Sequence, residues 1–357
     1  MHETLLLFRM EGPFIYDSYV TGKNFLGRKK ECEKLAKCLA DEQNVALWDS
    51  PYSGKMSLVQ QTLANLRLVG QQFLAVNFDM SGVRTVKAFK EGLWDVFCTL
   101  RSTQEEKVPA NLYSLIKTPY HIASEKGRQV VVMLSEFQNI AFAGDAQEVL
   151  DTFEQVMDEL NSAERKSRCS YIFCGNRVNA MKELFLKRGF LKGRYKHISL
   201  EPIPSKEIIN HINKGFQISG KVIEKDYILE RVLLFEGNMW HINHFFSIID
   251  SYTKGYINRN VDREAMASII SIYEPWFNAI VADLTDFQLS LLKAIIDGKL
   301  KLSSAEVIAD YGLHSSANVR RVKDALCKKE VISFTEADEA YIIDPLFKYW
   351  LKKCFFS

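Results

Sequence analysis

The chain has 357 residues, more than one hydrophobic core usually holds, so two or three domains are expected. Apolar residues make up 47% and charged residues 25%, which excludes a mainly disordered chain. Lys and Arg number 46 against 44 Asp and Glu, a net charge of +2, so nucleic acid would have to be drawn by a local patch and not by the whole molecule.

Seven cysteines, with no CxxC pair and no zinc-type spacing, read as reduced thiols in a cytoplasmic protein without a metal site. The opening MHETLLLFRMEGPF has an apolar run of only Leu5–Phe8 before Arg9, too short for a signal-peptide core. No apolar run approaches the ~18 residues of a membrane span, so no membrane contact is expected.

Over the first 200 residues, short apolar runs alternate with amphipathic stretches. The runs are Val45–Trp48, Phe73–Phe78, Val130–Leu134, Tyr171–Cys174 and His197–Leu200. Helical patterns lie at about 29–41, 57–69, 84–101, 109–126, 147–162 and 178–188; Cys32, Leu35, Ala36 and Ala40 illustrate the period. Such alternation predicts a parallel sheet covered on both faces, and continuous strands such as VVVML suit that setting.

The first strand leads into VALWDSPYSGKMSLVQQ. A strand, a loop ending Gly54-Lys55 and a helix start form the context of a phosphate-binding loop. Ser53, Gly54, Lys55 and the Ser57 backbone are its candidate ligands: main-chain amides at a helix N-terminus attract anions, and a lysine ammonium reaches the outer phosphates. Two positions depart from the GxxxxGK[ST] pattern. Asp49 replaces the first glycine, and at about 6 Å a carboxylate repels each phosphate charge by up to about 3 kcal/mol. Met56 replaces the hydroxyl residue, and a soft thioether cannot substitute for it on hard Mg²⁺. The third run ends VVVMLSEF, with Ser135 where a metal-holding aspartate is usual and Glu136 where a general base is usual. Asn176, closing the fourth run, is placed to sense a terminal phosphate.

At Glu201–Ser205 two prolines end the α/β pattern, and Ser205 reads as the N-cap of a helix from about 206 to 217. Further helices are expected at about 226–235, 239–253 and 263–281. His211, His241 and His244 lie among them without metal-site spacing. The last 75 residues open with two capping boxes, Thr285–Gln288 and Ser303–Glu306. A third helix starts after Ser315 or Ser316, and a hairpin follows from the runs Val331–Phe334 and Ala340–Ile343. Three short helices and a hairpin make a winged helix. In its third helix Ser315, Asn318, Arg320, Arg321 and Lys323 are the nucleic-acid candidates. Ser315–Glu330 holds five basic and two acidic residues, but residues 282–357 hold eleven of each and the wing turn TEADE is acidic. Packing on the core or recruiting a protein therefore stands as the alternative.

These motifs together resemble the AAA+-like, STAND-related P-loop ATPases of archaea and Bacteroidetes, relatives of the origin-recognition initiator ATPases. FLGRKKE, with Phe25, Gly27, Arg28 and Glu31, resembles the family's F-x-G-R-E opening, which implies a loop beside the adenine. GRYKHISLEPI places Arg194 where the family has an arginine, implying contact with a terminal phosphate or a partner. LFEGNMWHINHF resembles the sensor 2 region, with Met239 and Trp240 in place of its proline or arginine. DPLFKYW, with Asp344, Pro345, Phe347 and Trp350, resembles the family's tail.

The resemblance implies a P-loop domain with a parallel five-stranded sheet (1–201), a helical lid (202–282) and a winged helix with an aromatic final helix (283–357). ATP or ADP is the implied cofactor, with Glu136, Asn176 and Arg194 in catalytic positions and Mg²⁺ poorly supported. The expected activity is an ATP-binding switch with weak or lost hydrolysis. The rival is a pseudo-ATPase scaffold that binds DNA or protein through the winged helix. The oligomeric state is open.

Overall fold

The computed structural model describes residues 13–101, 108–109, 111–161 and 168–357; the opening run Leu5–Phe8 lies outside them. The chain divides into two compact units, one of Arg28–Glu201 and one joining the segment up to Gly27 with Pro202–Ser357.

In the first unit the elements follow in order: α1 (Lys29–Ala40), β1 (Asn44–Trp48), α2 (Lys55–Leu68), β2 (Phe73–Asp79), α3 (Val86–Arg101), α4 (Leu112–Lys126), β3 (Gln129–Ser135), α5 (Ala146–Asn161), β4 (Cys169–Gly175), α6 (Val178–Lys182) and β5 (Tyr195–His197). All five strands are parallel, in the order β2-β3-β4-β1-β5. Every residue of β1 and β4 is buried, as expected for strands covered on both faces. Phe89, Phe137, Phe153, Tyr171, Phe173 and Phe190 fill the core.

The last strand differs from the sequence reading. Pairing runs from Asn44↔Tyr195 to Ala46↔His197, so β5 lies before the expected His197–Leu200. Ile198 N still donates to Ala46 O at 3.2 Å, after which Glu201 N is captured by Glu31 Oε1 at 3.1 Å and the chain turns away.

The second unit contains α7 (Ser205–Ile218), α8 (Lys225–Leu234), α9 (Met239–Tyr252), α10 (Arg259–Ala282), α11 (Asp286–Ile296), α12 (Ala305–Asp310), α13 (Ser316–Lys328), the antiparallel pair β6 (Ile332–Phe334) and β7 (Ala340–Ile342), and α14 (Pro345–Trp350). Two caps shift by one residue from expectation. Pro204 precedes α7, which makes Ser205 its first residue, and Ser304 caps α12 by accepting from Val307 N. The Thr285 capping box forms as read.

Residues 13–27, expected with the α/β domain, belong to this second unit. Phe14 packs edge-on against Phe216 with ring centroids 4.8 Å apart, and Asn243 Nδ2 donates to Ile15 O at 2.9 Å. One continuous core runs from Phe14 through α7–α10 to the winged helix and α14. Phe277 of α10 meets Phe347 at 5.3 Å and Trp350 at 5.6 Å, so the tail aromatics are a buried anchor. α10 is long and apolar enough for a membrane span by composition, with mean hydropathy 1.2. Its buried Asp262, however, is held by Arg231 at 2.9 Å, a pair suited to a protein interior.

Candidate functional site

The loop Asp49–Gly54 leaves the carboxyl end of β1, an interior strand, and enters α2. Gly54 sits at φ +92°, a left-handed conformation that favours glycine, and its carbonyl accepts from Leu58 N to start the helix. Amides of the first helical turn have no intrahelical partner, which is what makes such an end attract anions.

Lys55 opens α2 yet is only 4% exposed. Its ammonium donates to Asp49 O at 3.0 Å, Ser50 O at 2.7 Å and Ser53 Oγ at 3.1 Å. An ammonium has three donors, so the loop satisfies it completely. Burial pulls the Lys55 pKa below the usual lysine value, while Cys174, Asp49 and Glu136 oppose that shift. The Cys174 thiol in β4 is itself pushed up to about 11 by burial. Asp49 turns back on its own loop, accepting from Ser50 N at 2.6 Å and Ser50 Oγ at 3.2 Å. The exposed Tyr52 does not fill the loop.

Arg28 clamps this loop from outside. Its guanidinium donates to Ser53 O at 3.0 Å and to Glu201 O at 3.0 Å, beside Glu31 at 3.7 Å. Burial lowers its pKa, with Glu31 the main opposing charge. One side chain thus joins the loop to both ends of the α/β unit.

Across the sheet edge, Glu136 follows β3 at φ +56° and caps a 3₁₀ turn, Phe137–Phe142. Asn176 Nδ2 donates to one carboxylate oxygen and Gln138 Nε2 to the other, the latter at 2.7 Å. Gln138 was not legible in the sequence as a site residue. Gly175 makes room for it: a Cβ there would lie 2.6 Å from Gln138 Oε1 and 2.5 Å from Met181 Cγ. Ser135 Oγ donates to Asn77 Oδ1 of β2 at 2.8 Å. Lys55, Glu136 and Asn176 therefore converge at the carboxyl ends of β1, β3 and β4.

Solved structures of similar fold cover nearly the whole chain. The Walker-type ATPase PABY2304 of Pyrococcus abyssi superposes with a TM-score of 0.70 at 14% identity, over 95% of this chain and 99% of that one. The fold is that of a P-loop ATPase. The ORC2 protein of Aeropyrum pernix, in ADPNP-ADP complexes, gives 0.60 at 12% identity over 94% and 98%. The Aeropyrum pernix ORC1 protein in complex with DNA gives 0.52 at 12% over 93% and 94%. Residues 275–353 match a family described as "Probable winged helix domain". No curated protein matches the chain by sequence.

Within this P-loop fold the expected Mg²⁺ position does not fit the ion. Met56 Sδ is engaged by Gln60 Nε2 at 3.8 Å, Ser135 donates its hydroxyl, and both oxygens of Glu136 accept amides. Mg²⁺ needs hard oxygen ligands, and no cluster of three or more His, Cys, Asp or Glu side chains suited to a metal occurs among the described residues.

Arg194 lies at the other end of the strands. Arg194 precedes β5, whose first residue Tyr195 pairs with Asn44, the first residue of β1. It is thus at the amino ends of the strands, a strand length of roughly 13 Å from the loop side, and it pairs with Asp158 of α5. A phosphate held in the same chain's loop is out of its reach. Phe25 and Gly27 belong to the second unit, where Gly27 at φ +64° faces Ile203. In the winged helix, Ser315 Oγ caps α13 by accepting from Asn318 N at 3.2 Å, and Asn318 Nδ2 donates to Leu313 O at 3.1 Å. Arg321 donates to Asn318 Oδ1 at 2.8 Å, and Lys323 lies over the Phe334 ring at 5.2 Å. Ser315 and Asn318 thus shape the turn, while Arg320 and Arg321 are exposed.

Proposed function

We propose that the chain is a nucleotide-binding switch protein of the AAA+/STAND kind whose hydrolysis is weak or lost. ATP or ADP would place its phosphates against the Ser53–Ser57 segment without Mg²⁺. The observation that carries this reading is Lys55, a buried ammonium caged by loop oxygens at the start of α2. A phosphate adds the Coulomb attraction of an opposite charge to its hydrogen bond, which a neutral loop oxygen lacks, so it competes with the loop for this ammonium. Glu136 and Asn176 hold each other, which supports a part in sensing occupancy more than in activating water. The ORC2 neighbour in its ADPNP-ADP complexes supports a nucleotide in this fold.

The second reading, a pseudo-ATPase scaffold without nucleotide, is favoured by the saturation of all three Lys55 donors. Under either reading the winged helix would carry the output, to DNA through Arg320 and Arg321 or to a protein. The ORC1 neighbour's complex with DNA supports the first, and the exposed acidic wing Glu336–Glu339 supports the second. Isothermal titration with ATP and with ADP, in EDTA and in Mg²⁺, separates the readings. The switch predicts binding of similar strength in both buffers; no heat at millimolar nucleotide leaves the scaffold.

A further inference from the structure

The carboxyl ends of β2, β3 and β4 carry a surface that the nucleotide reading does not use. Phe142 ends the 3₁₀ turn after Glu136 and is 50% exposed. Two guanidiniums lie over its ring, Arg84 at 5.5 Å from the β2–α3 loop and Arg177 at 5.2 Å from the β4–α6 junction. Both are held by rigid elements. Arg84 donates to Ser81 O at 3.0 Å and Val83 O at 2.7 Å, and Asn139 Nδ2 fixes that loop through Met80 O at 3.1 Å. Arg177 follows Asn176, which is tied to Glu136, and opens α6. Neither arginine forms an ion pair among the described residues, while the nearby acid Asp79 is occupied by Ser81 N at 2.9 Å.

Two cations flanking a half-exposed aromatic ring satisfy a ligand that is both anionic and flat-ringed. An acidic peptide would use the cations and leave the ring in water; a nucleotide strand uses both, its base on the aromatic or guanidinium planes and its phosphates on the charges. We propose that Arg84, Phe142 and Arg177 form a contact for single-stranded nucleic acid on the α/β unit, distinct from the winged helix and independent of nucleotide in the loop.

Fluorescence anisotropy of the full chain with a labelled oligothymidylate of about 12 nucleotides tests this. Phe142→Ala is expected to weaken binding about tenfold while Phe142→Trp retains it. An abasic strand of equal length should bind wild type as weakly as the oligothymidylate binds Phe142→Ala. Replacing Arg84 and Arg177 together by Ala should reduce the salt slope by about 1.4, for two phosphates contacted. Arg128→Ala, at the opposite end of the sheet, should leave affinity unchanged. Absence of binding, or equal binding by wild type and Phe142→Ala, overturns the proposal. So does competition by polyglutamate at equal potency per charge, which would assign the surface to an acidic protein.

Discussion

At the residue scale, the proposed function turns on two charges held by neighbours. Lys55 and Glu136 were legible because a strand-to-helix junction and a strand end fix where their side chains go. What the sequence did not convey is what holds them. Two of the three acceptors of Lys55 are carbonyls, which carry no residue identity, and the third is the Ser53 hydroxyl; Gln138 reaches Glu136 only because a 3₁₀ turn brings it back. The place of Arg194 was hidden for a related reason: spacing along the chain does not say which end of a strand a residue occupies, and its position at the amino ends leaves only the partner contact of the two roles the resemblance implies. Gly175 offers a test of the Glu136 arrangement. Adding a methyl group there forces Gln138 and Met181 to move, an overpacking that costs about 1–3 kcal/mol. Gly175→Ala should lower the urea midpoint accordingly and weaken nucleotide binding; unchanged stability would mean that Gln138 is free to shift.

At the element scale, strands and helices were read within a few residues because their apolar periods are strong, and the winged helix was readable from its caps. The segment 13–27 was not, since Phe14, Ile15 and Tyr16 give no sign of which core receives them. Tyr16 stacks on His244 of α9 at 4.1 Å, and Tyr273 of α10 contacts the His244 ring nitrogen at 3.0 Å. Burial, with His241 adding like charge, holds the His244 pKa at about 4 against an ordinary 6.5. The unfolded chain therefore takes up a proton before the folded one does. The associated stability is complete above about pH 6.5 and is lost as pH falls towards 4. Allowing for solvent screening it amounts to no more than about 2 kcal/mol. Urea midpoints at pH 7 and pH 5 should differ less for His244→Asn than for wild type; equal differences would contradict this assignment.

At the scale of the whole molecule, the helices α7–α10 and the winged helix share one core within the second unit. Nothing in local patterning could reveal this, because the joining contacts, Phe277 with Phe347 and Trp350, span some 70 residues. The chain passes between units beside Arg28, the residue that also clamps the phosphate loop.

The most direct measurement is the melting temperature of wild type and Lys55→Met with rising ADP in EDTA. A ligand at 100 times its Kd stabilises the folded state by about 2.7 kcal/mol. Wild type should show a rise that Lys55→Met abolishes while keeping its own fold. Equal shifts in both proteins, or none in wild type at millimolar ADP, would contradict it.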